Sequence, residues 1–183
     1  MNKSSDTNAV LNIATNNLNR STVMAPITKK AFLDYLECPT RGIRTLNTSS
    51  ESLSEPAAFR IQQGREIEEI AQSLFPGGVR VDAASFQEAC SQTNAILRAG
   101  AANAIFEASF EAHGFRARAD ILVASDEGYR LIEVKSKTDK TKDVEALCKD
   151  AAYTAMVLGF AGINVTEIAV FVLASNFRQG QLP

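Results

Sequence analysis

The sequence predicts an α+β or α/β domain with a mixed β-sheet flanked by helices, and three observations carry that prediction. Apolar residues recur at helical spacing up to about residue 100. From Ala104 the period switches to two and holds for three short runs separated by turn residues. A further helical segment then leads into a continuously apolar run near the C-terminus. The predicted order is α, α, α, β, β, β, α, β, with no internal repeat.

Residues 1 to about 25 are rich in Asn, Ser and Thr, show no period, and read as a disordered tail ahead of a domain spanning 26–183. "PITKKAFLDYLECP" predicts a short helix with Thr28 as N-cap, Phe32, Tyr35 and Leu36 on one face, and Pro39 as its end. Asn47 to Glu55 is polar and predicts a loop. "EPAAFRIQQGREIEEIAQSLFPGG" predicts a longer helix: Pro56 lies near its start, Phe59, Ile67, Ile70 and Leu74 recur along it, and Pro76-Gly77-Gly78 stops it. "SFQEACSQTNAILRAGAA" aligns Phe86, Cys90, Thr93 and Leu97 on another helix. "AIFEASFEAHGFRARADILVASDEGYRLIEVK" predicts a three-stranded meander, with turns at His113-Gly114 and Asp126-Glu127-Gly128. "KDVEALCKDAAYTAMVLGFAG" is helical again, and "VTEIAVFVLAS" predicts a strand in a buried sheet position.

Composition excludes several classes. A balance of 19 Lys+Arg against 21 Asp+Glu provides no global positive field, so any nucleic-acid contact must rest on a local patch. Three cysteines, Cys38, Cys90 and Cys148, make neither a disulfide framework nor a four-cysteine cluster within the chain. No apolar stretch is long enough to span a bilayer and no secretion signal is evident, so the expected location is the cytoplasm.

The hairpin around Gly128 concentrates the chemistry. With Asp126-Glu127 as its loop, Ser125 pairs with Gly128 and Asp120 lies opposite Glu133; with Glu127-Gly128 at the turn centre, Asp120 lies opposite Lys135. Both registers gather Asp120, Glu133 and Lys135 on one face, with Arg116 and Arg118 beside them. Phe115, Ala117, Ala119, Ile121, Val123, Ile132 and Val134 are expected on the other, core side. Two carboxylates offer hard oxygen ligands to Mg²⁺ or Mn²⁺, a lysine can orient water or steady phosphate charge, and arginines can hold phosphates. A solvated face of cross-strand ion pairs is the plainer reading of the same residues, and it implies a metal-free interaction domain.

"RADIL", twelve intervening residues between Asp120 and Glu133, and "IEVKS" resemble the PD-(D/E)XK nuclease superfamily, and within it the RecB-like branch with its CRISPR-associated exonuclease relatives. "ITKKAFLDYLECPTR" resembles that branch's N-terminal helix, ending in Cys-Pro-x-(Lys/Arg) at Cys38 to Arg41. "QQGREIEEIAQSLFPGG" resembles its Gly-x-x-x-(His/Glu) helix, which places Glu68 four residues after Gly64. The resemblance covers about Ile27 to Phe177.

It implies a three-layer restriction-endonuclease-like fold and Mg²⁺- or Mn²⁺-dependent cleavage of DNA. Asp120, Glu133, Glu68 and the Val134 carbonyl are the implied metal ligands, and Lys135 the catalytic lysine. Glu66 and Glu69 rival Glu68 on the same helix. Arg116, Arg118, Lys137 and Tyr153 are the expected nucleic-acid contacts. Lys140 and Lys142 extend a lysine-rich loop, and His113 reads as a turn residue. Cys38 holds the place of the first cluster cysteine of iron–sulfur relatives. The chain lacks the three partners near its C-terminus, so no iron–sulfur cluster is expected and Cys38 reads as a buried small residue, unless the chain is a fragment of a longer protein with further domains or partners.

One departure stands out. RecB-like enzymes carry Gln-x-x-x-Tyr on the helix after Glu-x-Lys, whereas this chain has "KDAAYTAMVL", with Thr154 near the Gln position. A nuclease-like DNA-binding module with weak or no cleavage is therefore the first alternative. Crowding of two carboxylates also predicts that neutralising Glu133 leaves the metal-free fold no less stable.

Overall fold

The computed structural model describes residues 25–48 and 55–177. Thr28 ends a two-residue strand, β1 (Ile27–Thr28), and caps α1 (Lys29–Glu37), its hydroxyl accepting from the Ala31 N–H at 3.3 Å. Pro39 does more than end that helix. It opens a second one, α2 (Pro39–Asn47), where its missing N–H would have had no partner in any case. Cys38 joins the two in extended conformation and is exposed, so the expected burial does not occur: the link between the helices faces solvent. Next come α3 (Glu55–Ser73), β2 (Val79–Arg80) and α4 (Phe86–Ala99). Ser85 caps α4, and Gly100 closes it at φ 63°. The chain continues through β3 (Ala104–Ala112), β4 (Phe115–Ser125), β5 (Gly128–Thr138), α5 (Val144–Phe160) and β6 (Val165–Leu173). The tail expected over residues 1 to about 25 falls outside the described residues except at its last position, as does most of the polar loop after Thr48.

The strands form one mixed sheet in the order β2-β3-β4-β5-β6, with β1 also on β4. β3, β4 and β5 are antiparallel neighbours, as the meander predicts, whereas β1–β4, β2–β3 and β5–β6 are parallel. Helix α3 covers one face, with Ala71 and Ile67 against Phe106, Ile121, Ile132 and Val134. Helices α4 and α5 cover the other, with Ala89, Tyr153, Val157 and Leu158 against Ile105, Ala108, Leu122 and Leu131. Three layers result. No helix among the described residues is long and apolar enough to cross a membrane.

Two expectations change. β6 is an edge strand, and Ile168 on it is 49% exposed, so its continuous apolar run does not mark a central position. The charged side of the hairpin is not a solvated face either, because helices cover both sides of the sheet. Glu133 is 1% exposed.

The hairpin register is the first of the two considered: Ser125 pairs with Gly128 and Ile121 with Ile132, around a two-residue Asp126-Glu127 loop. Gly128 sits at φ 152°, and a Cβ there would come within 2.3 Å of the Asn164 carbonyl oxygen. Gly128→Ala is therefore expected to cost about 1–2 kcal/mol in urea unfolding. An unchanged midpoint would show that the loop before β6 yields freely.

Further along β4 the alternation breaks. Phe106 pairs with Ile121 and Ala108 with Ala119, but Glu107 and Asp120 between them do not pair, and Glu107 has φ 58°. Ala117 and Ala119 consequently share a core with Leu122 and Leu131, while Ile121 joins Ile132 and Val134 on the opposite side. The single core side expected for the hairpin is thus split in two. β3 occupies one edge of β4 along its length. The other edge is shared: β5 pairs with it from Ile121 to Ser125, and β1 pairs at Phe115 and Arg116. Between these two strands the edge of β4 is open, and Asp120 lies at that opening.

Candidate active site

Asp120 is the first residue of β4 beyond the paired stretch of the β4–β5 ladder, which stops at Ile121 and Ile132, and its side chain substitutes for the next rung. Its Oδ2 accepts a 2.7 Å hydrogen bond from the Val134 backbone N–H. Glu133, which follows Ile132 on β5, turns towards α5. Its Oε1 accepts from the Thr154 hydroxyl at 2.5 Å. Its Oε2 lies 2.9 Å from Lys29 Nζ and 3.2 Å from Lys135 Nζ. Asp150, one helical turn before Thr154 on α5, binds the same two ammonium groups through Oδ2, at 2.6 Å from Lys135 and 3.2 Å from Lys29. Three carboxylates and two lysines are thus gathered where the sheet opens.

The charges do not balance, and Asp120 carries the excess. Burial, and then the neighbouring Glu133 carboxylate, push its pKa up to about 6 against the help of the Val134 N–H, Lys135 and Lys29. Burial also works to lower Lys135, but Glu133, Asp150 and Asp120 outweigh it and hold the ammonium above its ordinary value. Asp150 shows the reverse balance: burial would raise it, and Lys29 and Lys135 hold it below the usual carboxylate range.

A second acidic group adjoins the first. Glu107, at the break in β3, is raised by burial and then by Asp120, and Arg118 lies 3.6 Å from its Oε2. Its Oε1 is buried with no hydrogen-bond partner. Glu68 on α3 is raised by burial and then by Glu107, with Lys135 among the charges that lower it. Of the three neighbouring acids on that helix, Glu68 is half-buried while Glu66 and Glu69 are exposed, so Glu68 is the one turned towards the sheet.

The remaining expected residues are distributed differently. Val134 is buried in the α3-side core. Arg116 binds Glu111 at 2.7 Å and lies over the Phe86 ring, and Arg118 belongs to the Glu107 group, so neither arginine pairs with Glu133. Lys137 bridges the exposed Asp143 at 2.6 Å. Tyr153 is 2% exposed and packs against Phe32 and Phe115. Its hydroxyl shares its proton between the Ile27 and Arg116 carbonyls, at 2.7 and 2.9 Å. It therefore pins β1 to β4 and offers neither ring nor hydroxyl to a nucleic acid. His113 is the expected turn residue, exposed at φ 50°.

Among the described residues, no three His, Cys, Asp or Glu side chains are placed to hold a metal ion by themselves, and Asp150, the third carboxylate of the group, is held by the two lysines. A smaller donor set fits Mg²⁺ or Mn²⁺ better. Mg²⁺ characteristically takes one or two carboxylates and keeps several waters. Asp120, half-buried, and Glu133, buried, are neighbouring carboxylates that repel one another, and a divalent ion between such groups removes the repulsion.

Lys29 and Asp150 escaped the sequence reading. Asp150 had a usable signal, since it stands four residues before Thr154 and so on the same helix face. Lys29 had none, because it meets Glu133 across 104 residues through the β1 pairing. Comparison with known protein families, curated proteins and solved structures finds no match to the chain.

Proposed function

We propose that the chain is a divalent-metal-dependent nuclease hydrolysing DNA phosphodiester bonds, with a restriction-endonuclease-like fold of the RecB-like type. One observation carries this reading: two mutually repelling carboxylates, the buried Glu133 and the half-buried Asp120, stand with Lys135 at an opening in the sheet. Asp120 and Glu133, with the Val134 carbonyl, would hold the ion, and Glu68 is the candidate on the α3 side. The ion supplies Lewis-acid stabilisation of phosphate charge and a more acidic water. Lys135 holds the nucleophile's position, and its raised pKa keeps it cationic for that role. Thr154, near the position at which RecB-like enzymes carry Gln, would orient Glu133 through its hydroxyl. A weakly cleaving DNA-binding module is the second reading. It is favoured by Glu133 Oε2, which two lysines already engage.

Linear and circular DNA incubated with Mg²⁺ or Mn²⁺ test the proposal. Wild type is expected to cleave only with a divalent ion. Lys135→Ala is expected to retain calorimetric Mn²⁺ binding while losing about 100-fold or more in rate, the scale at which a lost transition-state contact registers. DNA binding without cleavage by wild type would select the second reading. Mn²⁺ binding that survives Glu133→Gln unchanged would remove the metal site altogether.

A further inference from the structure

We infer that Lys29 is a built-in counter-cation of the site, competing with a divalent ion for Glu133 Oε2. The inference rests on the metal-dependent reading above. The two lysines are not equivalent. Lys135 is nearer Asp150, at 2.6 Å against 3.2 Å to Glu133. Lys29 has the opposite preference, at 2.9 Å from Glu133 and 3.2 Å from Asp150. By distance, Lys29 is thus the nearer cation of Glu133 and Lys135 the nearer cation of Asp150.

The fold places Lys29 deliberately close. It is the first residue of α1, directly after Thr28, the last residue of β1. Pairing of β1 with Phe115 and Arg116, and the Tyr153 hydroxyl on the Ile27 carbonyl, fix that short strand beside the opening. The Lys29 side chain is 25% exposed, so its ammonium can withdraw towards water. Glu133 has no such freedom at 1% exposed, with Oε1 held by Thr154. A divalent ion that takes Glu133 Oε2 must therefore displace an ammonium. Lys135 has the shorter contact with Asp150 to retain, so Lys29 is the one that yields. Lys29 is accordingly a positioning residue: it neutralises Glu133 and sets the affinity for the ion.

Calorimetric titration with MnCl₂ at fixed pH, on wild type, Lys29→Met, Lys29→Gln and Glu133→Gln, decides the matter. Thermal melts of each protein with chelator and with saturating Mn²⁺ accompany it. Both neutral Lys29 variants are expected to bind Mn²⁺ about tenfold more tightly than wild type, because a competing charge a few ångströms from the ion is gone. Their melting temperatures are expected to fall below wild type in chelator and to recover most of that difference in Mn²⁺. Lys29→Gln retains a donor for Glu133 and serves if Lys29→Met does not fold. Equal or weaker Mn²⁺ binding by the neutral variants, with Glu133→Gln still abolishing it, overturns the Lys29 role and leaves the metal site intact. No Mn²⁺ binding by wild type overturns the metal-dependent reading and this inference with it.

Discussion

Glu133→Gln is expected to destabilise the metal-free protein by about 2–4 kcal/mol. The sign is opposite to the expectation from crowded carboxylates alone, and the structure supplies the reason. Glu133 is 1% exposed, and its carboxylate receives the Thr154 hydroxyl on one oxygen and the Lys29 and Lys135 ammonium groups on the other. Glutamine can still accept from Thr154. Its amide NH₂ must then face two ammonium groups, donor against donor, and both cations keep only Asp150 as a shared acceptor. Breaking a buried ion pair by removing one partner costs about 3–5 kcal/mol, and the figure is reduced here because the two lysine side chains retain 25% and 26% exposure. Urea unfolding with a chelator present measures the difference. A variant as stable as wild type would show that repulsion from Asp120 offsets the two lysine pairs.

Local physics made much of the scaffold legible in the sequence. The change of period from 3.6 to 2 located the meander, and Thr28 caps the first helix as its sequence position predicts. The sequence leaves two hairpin registers open, both placing Asp120 and Glu133 on neighbouring strands, and the structure takes the one with an Asp126-Glu127 loop. What failed was the inference from alternation to faces. Period two assigns each residue a side only while the ladder is regular, and the unpaired Glu107 and Asp120 exchange the sides of β4 midway. No local signal announces the φ of 58° at Glu107 that accompanies the exchange. α2 was missed because it is short and Pro39, its first residue, reads as the end of the helix before it, and β1 because two residues have no period. The second omission concealed Lys29, which reaches the site because β1 takes the edge of β4 that β5 leaves free.

Asp120→Asn is expected to do the opposite of Glu133→Gln and to stabilise the metal-free protein at pH 7 by about 1–3 kcal/mol. Asp120 has no direct cation partner among the contacts of the site. It accepts from the Val134 N–H, a bond that an asparagine oxygen can also accept. Its charge is held beside Glu133, and burial and that neighbour raise its pKa to about 6 from an ordinary 3.8. Between those two values the native state binds more protons than the unfolded chain, so wild-type stability contributed by this group falls as pH rises through the window. The advantage of Asp120→Asn should therefore be nearly absent below about pH 4, grow between about pH 4 and 6, and level off above. Asp150, whose pKa is lowered, contributes with the opposite sign. It is lost as pH falls below the ordinary carboxylate range, but it is common to both proteins and largely cancels in their difference. Mn²⁺ should reverse the order at pH 7 by stabilising wild type and leaving the variant nearly unchanged, since ligand binding to the native state alone raises its stability. Urea unfolding of both proteins from pH 4 to 8, with chelator and with Mn²⁺, reads the whole pattern. An Asp120→Asn variant less stable than wild type at pH 7 would show that the charge on Asp120 strengthens its bond to Val134 by more than Glu133 opposes it. A pH-independent difference would show that Asp120 is not the group carrying the excess charge.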